Sequence, residues 1–218
     1  MEKNHKMKQI LIDRGMSVEE CKALCTSPIV PLESKVFFRS IYELTFRPFE
    51  VQHILIENYN SKTGEITAQT TKVKYNPRTK TKTMQPRSMI LSPKTNEMMK
   101  AHISQRKKGF IFLSEINPKK PKSLRYFEKQ ITKYAKLISI QKKKQITEKG
   151  RTYGLVTLMA LREAGERHHD QEGGDPSISA KASGHTMTVK NKFYKKGSFE
   201  EAQRSFQKNH PAFKEDWD

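Results

Sequence analysis

Two residues near the C-terminal end of the chain have side chains that could act together on a phosphate group. In the stretch GHTMTVKNKFY, His185 lies nine residues before Tyr194. A tyrosine phenol has a pKa of about 10 and is a poor nucleophile at neutral pH, so it must be aimed at a phosphorus atom whose charge is neutralised by neighbours. One tyrosine beside one histidine carries little information alone, and the rest of such a site has to be sought elsewhere.

The charge of the chain indicates a polyanionic partner. Lys and Arg number 42 against 23 Asp and Glu, which gives a formal net charge of +19 over 218 residues. This excess is more than solubility requires, and it favours nucleic acid over an anionic membrane surface. No apolar stretch is long enough to span a bilayer, and the N-terminal residues lack the apolar core of a signal peptide. We therefore expect a cytoplasmic or nucleoid-associated protein.

A second candidate motif lies in the first quarter of the chain. In Leu44-Thr-Phe-Arg47-Pro-Phe-Glu50, an arginine precedes a glutamate by three residues. The preceding residues 33–46 have a broad apolar face and predict a helix buried in the core, which Pro48 closes. An arginine at such a helix end can grip a phosphate with two parallel hydrogen bonds, a role for which lysine is a poor substitute.

The two motifs resemble the first and last sequence boxes of the tyrosine recombinase (phage integrase) family, and the resemblance covers about residues 16–194. It implies that Arg47 clamps the scissile phosphate and that Glu50 orients the arginine. It also implies that His185, after Gly184, hydrogen-bonds to the phosphate while Tyr194 attacks it. The product would be a 3′-phosphotyrosyl link with a free 5′ hydroxyl, and a hydroxyl of another strand could reverse the step without ATP. This chemistry needs no metal and no cofactor.

The resemblance further implies a lysine on a β-hairpin that protonates the leaving 5′ oxygen. The segments ITAQTTKVK and TKTMQPRSMIL, joined by the turn YNPRTK, predict a small antiparallel sheet, with residues 51–57 as a further strand. Counting along the first segment places Lys72 in this role. Lys74 is the alternative on the same face, because strand side chains alternate with period two. The spacing leaves both open.

The family's second arginine box matches least well. In the family, His-x-x-Arg begins a buried helix that ends in a Leu-Glu-Ala-Gly-like stretch, and Leu161-Arg-Glu-Ala-Gly165 resembles that ending. We predict a helix over residues 152–164 that stops at Gly165. Arg151 would stand at its start as the second phosphate clamp. Glu148, three residues earlier, occupies the position where the family has His or Lys.

The polar residues 166–175 are predicted to form a loop that resembles an insertion in the family's pattern. His168, His169 and Asp170 lie within it and could suggest a metal site. Their polar, glycine-containing surroundings favour a solvated loop instead. We therefore assign no metal ligands.

The N-terminal part of the chain is predicted to begin with a helix. Ser17 and Glu20 have the spacing of a capping box, so a helix is expected over residues 18–25. Cys21 and Cys25 lie one turn apart on it, without further ligands nearby. They are interpreted as reduced thiols rather than as part of a disulfide framework or a zinc site.

Together these elements predict a mixed α/β domain, mainly helical with a small antiparallel sheet, like the catalytic domain of tyrosine recombinases. Residues 1–15 are expected to form a short N-terminal arm, residues 16–197 the catalytic domain and residues 198–218 a C-terminal helix and tail. By resemblance, the partners are double-stranded DNA and further copies in a tetramer, with the segment 198–206 docking on a neighbouring protomer. The family's additional N-terminal clamp domain is expected to be missing or supplied in trans.

Two other functions are kept open. A non-catalytic DNA-binding protein on the same fold would account for the altered second arginine box. An unrelated basic RNA-binding protein would account for the charge, although the sequence contains no RNA-binding motif or interleaved aromatic platform.

Overall fold

The computed structural model of the chain describes residues 15–76, 81–145, 152–183, 199–214 and 217, with side chains for 15–69, 86–142, 154–183, 203–214 and 217. The described helices are α1 (Val18–Thr26), α2 (Leu32–Leu44), α3 (Pro48–Gln52), α4 (Pro93–Ile103), α5 (Leu124–Leu137), α6 (Leu158–Gln171), α7 (Pro176–Ala182) and α8 (Phe199–Asn209), with 3-10 turns at Ile56–Asn58 and Pro211–Phe213. None of these described helices combines the length and apolar character needed to cross a membrane.

The described strands form two small antiparallel sheets. Strands β1 (Tyr59–Asn60), β2 (Glu65–Asn76) and β3 (Thr81–Ile90) pair in that order, and β4 (Lys143–Gln145) pairs with β5 (Thr152–Gly154). The β2–β3 pairing is a long hairpin whose register runs from Glu65 opposite Ile90 to Asn76 opposite Thr81. The predicted fold class, mainly helical with a small antiparallel sheet, is confirmed.

Helix α1 begins as its capping box predicts. The Ser17 hydroxyl accepts a hydrogen bond from the Glu20 N–H at 3.2 Å, and the Glu20 carboxylate accepts one from the Ser17 N–H at 3.0 Å. Cys21 and Cys25 are buried and carry free thiols. Burial raises the pKa of the Cys25 thiol to about 12, so this thiol is protonated and unreactive at neutral pH.

Helix α2 lies at the centre of the domain. Every residue from 36 to 44 is buried, which confirms the predicted core helix. The polar side chains of this stretch are buried as well as the apolar ones. There Arg39 and Glu43 form an ion pair at 3.3 Å. The Glu43 carboxylate also accepts hydrogen bonds from Ser92 and Thr95. These partners are what make the burial of two charges tolerable.

Helix α5 packs on α2 through aromatic rings. Ser123 caps its first turn by accepting a hydrogen bond from the Tyr126 N–H. The ring of Phe127 stacks on Phe37 with centroids 3.6 Å apart, and Phe112 meets Phe37 edge-on at 4.9 Å. Burying each of these rings contributes roughly 2–3 kcal/mol. The opposite side of α5 faces solvent.

Helix α6 differs from the prediction at both ends. Thr157 caps its first turn by accepting a hydrogen bond from the Ala160 N–H at 3.1 Å, and residues 152–154 belong to β5 instead. Gly165 does not stop the helix, which continues to Gln171. A Cβ at Gly165 would lie 2.1 Å from the carbonyl oxygen of Tyr42. The glycine therefore serves the close approach of α6 to α2 rather than helix termination.

The histidines predicted to lie in a solvated loop are instead buried on α6. His168 contacts the Tyr42 hydroxyl at 2.8 Å through Nδ1 and the Met16 carbonyl oxygen at 2.9 Å through Nε2. His169 contacts the Ser205 hydroxyl at 2.9 Å. The prediction was wrong because these polar side chains find partners inside the protein. Among the described residues, no group of three His, Cys, Asp or Glu side chains is placed to hold a metal ion.

The C-terminal helix α8 and the turn after it pack against their own chain. Phe206 is buried, and its ring stacks on His169 with centroids 4.1 Å apart. Trp217 stacks on Tyr42 at 5.1 Å, and its carbonyl oxygen accepts a hydrogen bond from Arg39 at 3.2 Å. These contacts are intramolecular, and the predicted docking of the segment 198–206 on a neighbouring protomer stays a prediction.

Candidate active site

Arg47 lies in the turn between α2 and α3. Thr45 ends α2 in the left-handed region at φ 53°, and Arg47 itself is extended. Pro48 is the first residue of α3, where its fixed φ and missing N–H are tolerated. Glu50 then turns back and accepts a hydrogen bond from the Arg47 N–H at 2.8 Å. The strand predicted over residues 51–57 is wrong, since these residues hold the end of α3 and a 3-10 turn.

The Glu50 carboxylate bridges two arginines. Its Oε1 accepts a hydrogen bond from Nη1 of Arg47 at 3.1 Å, and its Oε2 accepts one from Nη2 of Arg87, a residue of β3. The Arg87 side chain is 4% exposed, whereas that of Arg47 is 22% exposed. Burial lowers the pKa of Arg87 to about 10, against the attraction of Glu50, so it remains charged at neutral pH. The trio carries one net positive charge, and Arg47 presents it to solvent.

Arg162 connects α6 to the same turn. Its Nε donates a hydrogen bond to the Thr45 carbonyl oxygen at 2.7 Å, and its Nη2 donates one to the Ser183 carbonyl oxygen at 2.6 Å. The Glu166 carboxylate lies 3.3 Å from Nη2. Burial lowers the pKa of Arg162, and Glu166 opposes that effect. One guanidinium therefore holds three parts of the chain together.

The C-terminal end of α7 lies beside the Arg47 turn. The last carbonyl groups of a helix have no partner within the helix. Here the Ala182 carbonyl oxygen accepts a hydrogen bond from Nη1 of Arg87, next to the one that Ser183 accepts from Arg162. Ser183 directly precedes Gly184, the first residue of the last box. The described structure thus brings Ser183, the residue before that box, close to the predicted phosphate clamp.

The hairpin that carries the candidate lysines is irregular at that position. Gln69 pairs with Pro86 and Val73 pairs with Met84, so β2 contains two extra residues between these pairs. Lys72 lies inside this bulge, whereas Lys74 lies in the regular ladder opposite Thr83. A bulge changes the direction of side chains, so the alternation of a regular strand does not by itself place Lys72 and Lys74 on the same face. Both side chains lie outside the described ones.

Three predicted site residues, Arg151, His185 and Tyr194, lie outside the described residues. In the sequence, Arg151 directly precedes β5, and residues 152–157 separate it from the first residue of α6. The prediction that Arg151 stands at the start of this helix is therefore wrong, because the Thr157 cap places the start later.

Sequence reasoning missed Arg87 and Arg162, although each left a signal. Arg87 shares one face of β3 with Met89, which is fully buried, so the strand alternation pointed it inward. Arg162 directly follows the buried Leu161, in the segment that the sequence predicted to be a buried helix. A charged residue at an apolar position of a core element indicates a buried hydrogen-bonded group.

An apolar groove of about 410 Å³ adjoins Arg47. Its lining includes Phe49 and Met159, which are 49% and 43% exposed, together with Leu124 and Leu158. An anion held by Arg47 would thus have apolar surface next to it. Such surface can contact the uncharged parts of a ligand that carries the anion.

Comparison with known proteins gives matches among solved structures, whereas no family model and no curated protein matches the chain. The XerA recombinase matches with a TM-score of 0.62 and 16% identity over 88% of this chain and 63% of that one. The integrase from mycobacterium phage Brujita matches at 0.61 with 9% identity over 87% and 55%. The XerH site-specific recombinase bound to its difH substrate matches at 0.57 with 16% identity over 90% and 50%.

These likenesses concern the fold, and this chain spans between 50% and 63% of the length of those three structures. The described part of the chain has the fold of the tyrosine recombinase catalytic domain.

Proposed function

We propose that this protein cleaves and rejoins DNA through a covalent 3′-phosphotyrosyl intermediate, with Tyr194 as the nucleophile. The observation that carries the proposal is the arginine turn. Arg47 is held by the buried Glu50 carboxylate, keeps a partly exposed guanidinium, and lies beside the residue that leads into Gly184-His185. A fixed, accessible guanidinium is what a scissile phosphate requires.

The proposed reaction exchanges one phosphodiester for another. Arg47 and Arg151 neutralise the phosphate, and His185 donates a hydrogen bond to it. The Tyr194 oxygen passes its proton to solvent with the help of His185 and forms a bond to phosphorus, while the bond from phosphorus to the 5′ oxygen breaks. Lys72 gives the leaving 5′ oxygen its proton. The phosphotyrosyl bond retains the energy of the broken one, so a 5′ hydroxyl can reverse the step.

The exposed side of α5 supports DNA as the partner. Its buried side holds Phe127 and Ile131, and a row of basic side chains lies on the solvent side: Arg125, Lys129, Lys133 and Lys136. Residues at these spacings neighbour one another on a helix. Such a row can neutralise several phosphates of a nucleic acid backbone, which an isolated lysine cannot do. Two of the matching structures, the XerH recombinase and the Tn1549 integrase, were solved with DNA bound.

A second candidate function is DNA binding without cleavage. The position of Arg151 favours it, because residues 152–157 separate this arginine from α6. Without a second guanidinium on the phosphate, charge neutralisation would depend on Arg47 alone. Binding through the basic side of α5 would be unaffected.

The test is covalent trapping on nicked suicide duplexes drawn from a pool of randomised sequence. A nick next to the cleavage point lets the short 5′ fragment diffuse away, so that the protein–DNA adduct accumulates and is counted on a denaturing gel. We expect an adduct with wild type and none with Tyr194→Phe, which removes one oxygen and leaves DNA binding unchanged by fluorescence anisotropy. Tyr126→Phe is the matched control and should form adduct like wild type.

The outcomes separate the candidates. Binding without any adduct would favour the non-catalytic function and refute the proposal. An adduct with Tyr194→Phe would show that another residue is the nucleophile. Arg47→Ala should lose adduct formation and also weaken binding, since it removes a phosphate contact as well as transition-state stabilisation.

A further inference from the structure

We propose that the apolar groove beside Arg47 receives the nucleoside attached to the phosphate that this arginine holds, with the base packed against the Phe49 ring. The proposal rests on one part of the proposed function, the binding of a DNA phosphate by Arg47, and it does not depend on cleavage. It assigns Phe49 a contact with DNA outside the reacting atoms.

The groove is large enough for a planar organic group. Its volume is about 410 Å³, which lies within the range of pockets that bind small organic ligands, and its walls come from α3, α5 and α6. Apart from Arg47, the exposed Glu128 and two threonines, the lining is apolar. The apolar lining residues are Pro48, Phe49, Leu124, Ile131, Leu158 and Met159.

Phe49 presents an aromatic ring at the surface of this groove. The residue is 49% exposed, although its ring lies against the ring of His53, with the centroids 4.0 Å apart. Nδ1 of His53 also contacts the Phe49 carbonyl oxygen at 2.9 Å. The ring is therefore supported on one side and open to solvent on the other. Exposed apolar surface that is gathered in a groove marks a contact site more often than scattered apolar residues do.

Positive charge borders the groove on two sides. Arg47 lines it directly, with its guanidinium held by Glu50. The groove also shares Glu128 and Thr132 with a second surface cavity, whose lining contains the basic row of α5. A nucleic acid strand that contacts both sets of cations passes across the apolar groove. Because a nucleoside joins each phosphate to the next, a nucleoside is the part of the strand that faces the groove.

An exposed aromatic ring next to a phosphate clamp suits a base. Every base has a flat π face, so stacking on an aromatic side chain tolerates any sequence. A base that leaves the duplex loses the stacking of its neighbours, and the Phe49 ring offers a replacement surface. The contact is expected to add affinity at one nucleotide without selecting its identity.

The test is an abasic scan followed by fluorescence anisotropy, which requires no cleavage. A duplex that wild type binds is selected from the randomised pool, and each nucleotide in turn is replaced by an abasic one. The partner strand is abasic opposite the scanned position, so no base pair has to break. A parallel scan with neutral methylphosphonate linkages identifies the phosphate held by Arg47, as the position where neutralisation weakens wild type but not Arg47→Ala.

The variants are Phe49→Ala and Phe49→Leu, and the second keeps an apolar side chain without a planar ring. Phe49→Leu carries the test if Phe49→Ala does not fold. Ile29→Ala is the matched control, because Ile29 is 48% exposed and precedes α2, whereas Arg47 follows the other end of this helix. The 13 residues of α2 span about 20 Å.

We expect base removal next to the phosphate held by Arg47 to weaken wild-type binding by about 5- to 100-fold, the effect of one base stacked on an aromatic ring. The same removal should change the affinity of the two Phe49 variants by less than about twofold, since the ring is already absent. Ile29→Ala should retain the wild-type pattern. A purely structural role of Phe49 would weaken the binding of all duplexes alike and leave the effect of base removal unchanged.

Four results would overturn the proposal: equal effects of base removal in wild type and the Phe49 variants, loss of the effect in Ile29→Ala, a sensitive nucleotide away from the phosphate held by Arg47, or no linkage that depends on Arg47. Absence of adduct on the suicide duplexes would refute the proposed cleavage and leave the scan readable, so the two failures are distinguishable.

Discussion

Replacing Gly165 by alanine tests how closely α6 approaches the backbone of α2. In a helix without tertiary contacts, this change stabilises by about 1 kcal/mol, because alanine is the better helix former. In this protein the added Cβ would lie 2.1 Å from the Tyr42 carbonyl oxygen and 3.0 Å from its carbonyl carbon. The first distance is more than 1 Å short of an ordinary van der Waals contact.

The magnitude follows from which atoms collide. Overpacking a core costs typically 1–3 kcal/mol, and the upper end applies when the neighbour cannot rotate away. The neighbour here is the backbone of α2, which is buried from residue 36 to residue 44, so the helices themselves must separate. Subtracting the gain in helix propensity leaves a net loss of about 2 kcal/mol in the free energy of unfolding. For a domain of this size, that corresponds to about 4–8 °C in Tm.

The assay is urea denaturation followed by circular dichroism, with Gly154→Ala as the matched control. At Gly154, the atoms nearest to a new Cβ belong to the Gln141 amide, which lies 3.2 Å away and bonds to the Val156 backbone. Relieving that contact requires a shift of this side chain by a few tenths of an ångström, not a separation of two helices. The control should change the free energy of unfolding by no more than about 0.5 kcal/mol. A Gly165→Ala protein as stable as wild type would show that the crossing is not held as closely as the structure indicates.

Two further predictions concern pH and salt. The free energy of unfolding should decrease as the pH falls from about 6.5 toward 4. Burial lowers the pKa of His168 to about 4 and also lowers the pKa of His210, so both histidines take up protons more readily in the unfolded chain. Urea denaturation at each pH should show a weaker dependence in His168→Gln, and an unchanged dependence would contradict this reasoning. Replacing Lys129 and Lys133 together by alanine should make the dependence of DNA affinity on salt weaker. In anisotropy titrations, the slope of log affinity against log salt concentration should fall in magnitude by up to about 2. An unchanged slope would exclude α5 from the DNA interface.

Much of the fold could be predicted from local signals in the sequence. The capping box at Ser17 gave the start of α1, because a cap depends on residues within one turn. The turn signals within residues 65–90 gave the β2–β3 hairpin. Arg47 could be placed at a helix end from the nearby proline, since proline restricts the residue before it.

What could not be predicted depends on contacts between distant parts of the chain. Gly165 has the local character of a helix stop, and only the approach of Tyr42 explains why it lies inside α6. His168 and His169 have a polar sequence neighbourhood, and their burial depends on partners more than 35 positions away in the sequence. The role of Arg87 likewise depends on the end of α7, which is 95 positions later.

The attachment of α8 limits how far the proposed nucleophile can reach. Tyr194 stands five residues before Phe199, the first residue of α8, and an extended chain covers at most about 3.6 Å per residue, so the two Cα atoms lie within about 18 Å of each other. Helix α8 is itself fixed to its own domain by the bond from Gln203 to the Ser88 carbonyl oxygen and by the burial of Phe206. A phosphate within this radius plus the length of the tyrosine side chain could be reached by Tyr194 of the same chain with α8 in place. Reaching a phosphate farther away would require α8 to leave its position, so cleavage in trans would then be coupled to release of this helix.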